Sequence, residues 1–281
     1  MRMTPVLAAG AFLGPALLAL LAFRITPTVV AIVESLQTRG GYGLRNYADL
    51  VTSPTFLNSV WVTLVFNLVI NPVQVAISIA LALLLNQTLP ARALARIAVF
   101  LPVAAPLAVA SLVWGIAMRP SDGALNAILA TVDLPAQPWL TSARQSLLSV
   151  MIIVTWAGVG YWTMFLIAGL QDIPRDLYEA ATIDGATWWR GLFAVTLPLL
   201  KRTILFVLVA NTVGNFLVFA PVQILTRGGP QGSTNLFIYE IYQLGFSFAD
   251  ISAASAGIVL LLACMLIFVG LQFRLLRSGQ G

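Results

Sequence analysis

Three groups of side chains in this 281-residue sequence could hold a ligand. Asn67, Asn71 and Gln74 stand four and three residues apart, one face of a helix; Asn211 and Asn215 repeat the spacing, and Gln223 follows. Trp156, Tyr161 and Trp162 form the third group, flanked by Thr155 and Thr163. Carboxamides donate and accept, so they bond hydroxyl groups in both directions, and flat rings cover the C–H faces of a pyranose. That is the chemistry for holding a polyhydroxylated solute. Amides within apolar helices also bond helix to helix, and both uses stay open for each of these residues.

Catalytic chemistry is not visible. There is no His, so Ser-His and Cys-His nucleophilic arrangements are excluded. Cys264 is the one cysteine and sits in an apolar run, which makes it a packing residue; neither a disulfide within the chain nor a Cys/His metal site can form. No Gly-x-x-x-x-Gly-Lys-Ser/Thr phosphate loop occurs, so the chain is expected to be a non-catalytic protein without ATP, metal or other cofactor of its own. Asp172, Asp176 and Asp184 cluster in one polar segment and read as solvated helix-end charges.

The elements that must carry these groups are membrane helices. The chain is 59% apolar and 9% charged, with mean hydropathy +0.94, where a soluble domain carries about 25% charged residues. Six stretches satisfy the requirement of about 20 apolar residues: 4–33, 56–85, 97–118, 147–170, 203–225 and 251–273. The expected fold is an all-α polytopic membrane protein with six transmembrane helices in a single domain over residues 1–281. The N-terminal stretch is long and lacks a small-residue cleavage pattern, so it reads as a retained span. Asn86 and Pro90 close the second span, and Arg119-Pro120 the third.

Spans two to six contain no Asp, Glu, Lys, Arg or His. A proton-coupled carrier needs a titratable group at depth, so the energy source is expected outside the chain. A self-contained secondary carrier is the alternative reading; it would show inverted repeats or a titratable pair, and neither appears. Arg24 allows two readings. A first span that ends at Phe23 puts Arg24 at the outer surface. A span that runs on through Pro27 to Val33 puts a guanidinium inside the bilayer, where it wants an anion, and a phosphate, sulfonate or carboxylate on the substrate would serve.

Cation placement sets the orientation. With both termini inside, Arg2, Arg92, Arg96, Arg175, Arg190, Lys201, Arg202, Arg274 and Arg277 are cytoplasmic, leaving six arginines outside. The cytoplasmic cations come in pairs near span ends, and they put the segment 173–201 in the cytoplasm. Pro174 suits a first helical turn there, Gly185 a left-handed stop, Thr187 the cap of a second short helix, and Pro198 the end of that helix or the start of the next element. The result is a helix-Gly-helix elbow, with Leu177, Ala180 and Ala181 on one face. A helix lying on the membrane surface is the other reading of that amphipathic stretch.

Glu179-Ala180-Ala181, Asp184-Gly185-Ala186 and Leu197-Pro198, with the preceding Ile173-Pro174 to Tyr178, resemble the cytoplasmic EAA loop of permease subunits of binding-protein-dependent ABC importers, closest to the sugar-uptake branch of maltose- and glycerol-phosphate-type permeases. Asn46-Tyr47 through Phe56, Trp139-Leu140, and Leu225-Thr226 with Gly228-Gly229-Pro230 carry the likeness along nearly the whole chain. The resemblance implies an inner-membrane permease subunit for a sugar or sugar derivative. It implies a coupling helix that docks in a cleft of a separate ATPase, with Tyr178, Glu179, Ala180, Ala181, Asp184, Gly185, Ala186, Leu197 and Pro198 as coupling positions. The partners it implies are a second similar permease, two ATPase copies that bind the ATP and Mg, and an extracytoplasmic binding protein. It favours a pathway role for Asn211 and Asn215, because relatives line the route with this span. Many relatives have a second Pro where Arg202 stands, so a straighter exit from the elbow is expected here.

Overall fold

The computed structural model describes residues 5–87 and 92–277, so the expectations placed on Arg2 and Pro90 lie outside the described residues. In chain order the elements are α1 (Pro5–Leu20), a π turn (Leu21–Ile25), α2 (Thr26–Ser35), a two-stranded antiparallel hairpin of β1 (Gln37–Thr38) and β2 (Gly41–Tyr42), α3 (Arg45–Thr52), α4 (Pro54–Asn86), α5 (Arg92–Ala104), α6 (Leu107–Ala117), α7 (Ala124–Thr131) and α8 (Ser146–Gln171). Then follow α9 (Arg175–Ile183), α10 (Trp188–Gly191), a π turn (Leu192–Thr196), α11 (Leu197–Phe216), a π turn (Val222–Thr226), α12 (Phe237–Tyr242), a π turn (Gln243–Ser247) and α13 (Ile251–Arg277).

Among the described residues five helical stretches are long and apolar enough to cross a membrane: Phe12–Ser35, Pro54–Asn86, Ser146–Gln171, Trp188–Phe216 and Ile251–Arg274. The pair Ala93–Ala104 and Leu107–Ala117 is bent by 104° and makes a sixth if it counts as one span. The third expected stretch, 97–118, is thus broken near its middle. Proline at 102 and 106 removes two helical donors, and Ala105 N–H turns back to Pro102 O at 3.2 Å. The first helical stretch does not break at Arg24. The helix continues to Ser35, because Pro27 falls in the first turn of α2, where its missing N–H is tolerated. The hydroxyls of Thr26 and Thr28 bond the carbonyls of Leu21 and Arg24 at 2.9 and 2.8 Å.

The helices group into two compact units. One is built from the N-terminal residues to Leu57 and from Glu240–Cys264. In it Asn46 donates to the carbonyls of Ser35 and Gln37, the Ser35 and Tyr47 hydroxyls bond at 2.6 Å, and a cleft of about 750 Å³ opens between the hairpin, α3 and Phe248–Ser252.

The other unit, from Asn58–Tyr239 and the residues from Met265 onward, holds two apolar clusters. Phe66, Ile70, Val150, Val154, Val222 and Leu236 pack in one; Leu85, Leu166, Leu170, Leu200 and Val207 pack in the other. α8 is central and comes close to its neighbours at two glycines. A Cβ on Gly160 would run into the carbonyl oxygen of Val99 on α5, and one on Gly169 would stand 2.7 Å from Thr203 Oγ1 on α11.

Candidate functional site

The elbow is built by local sequence. α9 starts after Pro174, with Asp176 in its first turn. It stops at Gly185, which takes φ +74°, a conformation that side-chain-bearing residues avoid. Gly185 N–H donates to Thr182 O at 3.0 Å and Ala186 N–H to Ala181 O at 2.9 Å, the paired bonds of a left-handed helix stop. Thr187 then caps α10, its side chain accepting from Arg190 N–H at 3.4 Å. The expected helix-Gly-helix geometry is thus present residue for residue.

The second limb does not stop at Pro198. α10, the Leu192–Thr196 turn and α11 form one helical stretch, Trp188–Phe216, with Leu197 and Pro198 in the first turn of α11. The two limbs are joined by the Tyr178 hydroxyl and Thr196 Oγ1 at 3.1 Å, beside a cavity of about 230 Å³ lined by Ala181, Ala186, Trp188 and Leu192 among others. Tyr178 also packs against the apolar cluster that holds Leu85, Leu166 and Leu200. Glu179, Ala180 and Asp184 are exposed, Ile183 is 86% exposed, and Glu179 makes no ion pair with Arg175. Trp188 meets Trp189 edge-on, Trp189 stacks on Phe193, and all three are exposed too. The elbow therefore presents carboxylates and apolar side chains outward on a frame locked from within.

The amides are arranged differently. Asn67, Asn71, Gln74, Asn211 and Asn215 are all buried and bonded to each other. Asn71 donates to Asn67 Oδ1 at 3.2 Å; Asn211 and Asn215 donate to Asn71 Oδ1 at 3.2 and 2.7 Å; Asn215 also reaches Gln74 Oε1 at 2.9 Å. The first of these bonds lies within α4 and the other three run between α11 and α4, the helix-to-helix use of the amide group. Gln223 lies apart, half-buried on the Val222–Thr226 turn, and its Oε1 is buried without a hydrogen-bond partner among the described residues.

On α8 the rings are presented outward: Trp156 is 40% and Tyr161 43% exposed. Tyr161 stacks edge-on to Trp162 at 4.9 Å, and Trp114 does so to Trp156 at 5.7 Å. Trp156 also lines an apolar hollow of about 450 Å³ in the crook of the α5–α6 bend, with Ala98, Leu101, Pro102, Ala104 and Ala105. Because residue 102 is proline, the Ala98 carbonyl has no helical donor and can accept from a hydroxyl.

Some organising residues gave no sequence signal. Asn126 Nδ2 donates to the carbonyls of Pro120 and Gln137, and its Oδ1 accepts from Trp139 Nε1 at 2.9 Å, so this one amide ties the α6–α8 connection and Trp139 together. Thr63 accepts the Phe237 N–H at 2.7 Å, and Asn58 donates to Gly232 O at 2.9 Å, bracing the Gly-Gly-Pro segment on α4. The signal that could have found them is an isolated polar residue beside turn chemistry.

Comparison with known proteins gives a consistent result. Residues 50–278 match the family described as binding-protein-dependent transport system inner membrane component. The chain is similar to the trehalose/maltose transport system permease protein MalF of Thermococcus litoralis, 34% identical over 206 residues covering 72% of this chain and 70% of that one. It is also similar to the sn-glycerol-3-phosphate transport system permease protein UgpA of Pectobacterium atrosepticum (32% identical, 92% and 90% covered) and the lactose transport system permease protein LacF of Rhizobium radiobacter (32%, 96% and 94%). Among solved structures it shares its fold with a chain of a bacterial ABC transporter involved in import of the acidic polysaccharide alginate, with TM-score 0.86 at 23% identity over 96% of this chain and 95% of that one. A bacterial alginate ABC transporter in complex with an alginate pentasaccharide-bound periplasmic protein gives TM-score 0.84 at 24% identity, over 93% and 91%. With most of its length inside the family profile, the chain belongs to the binding-protein-dependent transport system inner membrane components.

Proposed function

We propose that the chain is one of two permease subunits of an ABC importer for a sugar or sugar derivative, working as a single transmembrane domain with both termini in the cytoplasm. A second, similar permease encloses the path, two copies of a separate ATPase bind ATP and Mg and take the elbows, and an extracytoplasmic binding protein delivers the solute. The observation that carries this reading is the elbow: an exposed α9 stopped by Gly185 and locked to the helix Trp188–Phe216 through Tyr178 and Thr196.

The depth of the elbow supports it. Lys201 and Arg202 mark the inner membrane surface on this reading, and Trp188 lies thirteen residues before Lys201, roughly 20 Å of helix. The exposed aromatic and acidic groups then stand in water beyond the headgroups, where a protein surface suits them better than lipid. ATP closes the ATPase dimer, the elbows move as rigid bodies, and the continuous helix passes that movement to α4 and α8. Coupling is assigned to Tyr178 through Ala181, Asp184 to Ala186, and Leu197-Pro198.

For the solute path, the outward rings of Trp156 and Tyr161, the hollow beside the α5–α6 bend and the unpartnered Gln223 Oε1 supply ring faces and acceptors for a sugar. The experiment is co-expression with its transporter partners, followed by co-purification and reconstitution. A stoichiometric ATPase and hydrolysis stimulated by the loaded binding protein are expected, with uptake of neutral and phosphorylated sugars compared in the same vesicles. Accumulation of solute by the purified chain alone would overturn the reading.

A further inference from the structure

The cleft between the hairpin, α3 and Phe248–Ser252 encloses about 750 Å³, within the range of about 300–1,000 Å³ that small-molecule sites occupy. All of its walls belong to one compact unit of the chain. None of the residues lining it comes from the helices that carry Trp156, Tyr161 or the buried amides. With both termini in the cytoplasm, as proposed above, the cleft faces the extracytoplasmic side.

Both walls are fixed by their own hydrogen bonds. On one side Asn46 Nδ2 donates to the carbonyls of Ser35 and Gln37 at 2.9 and 2.8 Å, which leaves its Oδ1 to accept. Arg45 and Asp49, one turn apart on α3, meet at 3.6 Å with side chains 79% and 70% exposed. The guanidinium therefore keeps donors, and the carboxylate keeps lone pairs, for a third group. On the other side Phe248 N–H donates to Gln243 O and Asp250 N–H to Leu244 O, both at 2.9 Å. Asp250 Oδ1 accepts the Ala253 N–H at 2.9 Å. Ala249, between these two pinned residues, takes φ +55°, a conformation that a residue with a side chain holds only where its surroundings impose it. The outcome is a Phe248 ring left 71% exposed on a fixed segment.

A ring that anchors a protein among lipid headgroups lies against lipid. This one lines a polar cleft together with Arg39, Arg45, Asp49 and Asp250. The two cations and two anions cancel, so the lining selects neither an anion nor a cation by net charge. What it gathers is a flat apolar face, guanidinium donors and carboxylate acceptors around one space. Those are the groups that hold a pyranose, whose C–H face covers a ring and whose neighbouring hydroxyls both donate and accept. We infer that this cleft is an extracytoplasmic subsite for a neutral saccharide, separate from the solute path through the membrane helices. Phe248 is its stacking platform, and Arg45, Asp49 and Asn46 Oδ1 bind hydroxyl groups. The inference rests on the sugar-importer reading above.

The test uses the assembled transporter in nanodiscs, with neither nucleotide nor binding protein present. It reads saturation transfer by NMR from the protein to maltose, lactose and trehalose at millimolar concentration. Transfer to at least one of these neutral sugars is expected. Phe248→Ala should weaken it about fivefold, the loss of one stacked ring, and Phe248→Trp should keep it. Phe246→Ala removes a ring that is 78% exposed and stacks on Tyr242 without lining the cleft, and it should change nothing. Because Phe248 is itself exposed, Phe248→Ala should assemble like the parent, which retention of the ATPase checks. Absence of transfer to all three sugars would overturn the inference, and so would equal transfer in Phe248→Ala and the parent. Competition by sn-glycerol 3-phosphate would make the cleft an anion site and also overturn it. A Phe248→Ala transporter that binds sugar as the parent does, yet no longer responds to the binding protein, would make the cleft a protein-docking surface instead. The importer reading fails separately, if the unmodified transporter with its binding protein takes up no sugar.

Discussion

Asn215 donates to Asn71 Oδ1 at 2.7 Å, and Asn211 shares the same acceptor at 3.2 Å. One carboxamide on α4 therefore receives two from α11, the helix that continues from the elbow. In hydrocarbon a neutral hydrogen bond keeps its strength without burying charge, so helices can be held firmly yet exchange partners as they move. Replacing Asn215 by Ala should cost about 1 kcal/mol. Asn71→Leu should cost about 1–3 kcal/mol, because it takes the acceptor from the buried Asn211 amide, while Asn215 keeps Gln74 Oε1. A double-mutant cycle on thermal unfolding in detergent measures the coupling; additive single effects would mean the contact contributes nothing.

Gly185 is the second test. Its φ of +74° with no atom within 4 Å of a Cβ makes the defect of any substitution conformational. Valine there carries a strain of about 1–3 kcal/mol, which opening the α9 stop would relieve. Gly185→Val should insert normally while uptake falls and ATP hydrolysis continues; Gly185→Asn, which tolerates positive φ, should be milder. Normal uptake by the valine variant would remove the elbow from the coupling route.

Gly160 sets how closely α5 can lie on α8. Even Gly160→Ala meets the backbone carbonyl of Val99, which cannot rotate away as a side chain does. Overpacking of about 1–3 kcal/mol is expected, seen as a lower unfolding midpoint and a changed α5–α6 bend in spin-label distances. At Gly169 the nearest atoms are side-chain ends on Thr203 and Leu200, so Gly169→Ala should be the gentler of the two.

Trp156→Ala removes the ring beside the crook of the bend. Uptake at limiting solute should fall by about tenfold, equivalent to about 1.4 kcal/mol, with Trp156→Phe retaining most of it. The split between apparent KM and maximal rate in reconstituted vesicles reads this out. An unchanged KM in the alanine variant would take Trp156 off the solute path.

Composition alone required membrane helices, since 9% charge cannot cover a soluble surface of this size. The elbow was equally legible, because a glycine stop, a threonine cap and a proline start act within a few residues of themselves. Faces could be read too: Asn67, Asn71 and Gln74 had to share one, as did Asn211 and Asn215.

Which face meets which was a tertiary decision. Asn71 and Asn215 are 144 residues apart, and whether their amides meet each other or a solute depends on the close approach of α4, α8 and α11, set by packing and by bare glycines in α8. The α5–α6 bend was hidden for a related reason. An apolar run reports that a segment belongs in lipid, while two prolines four residues apart leave open whether the helix kinks gently or turns by 104°, and only the neighbouring helices decide that angle.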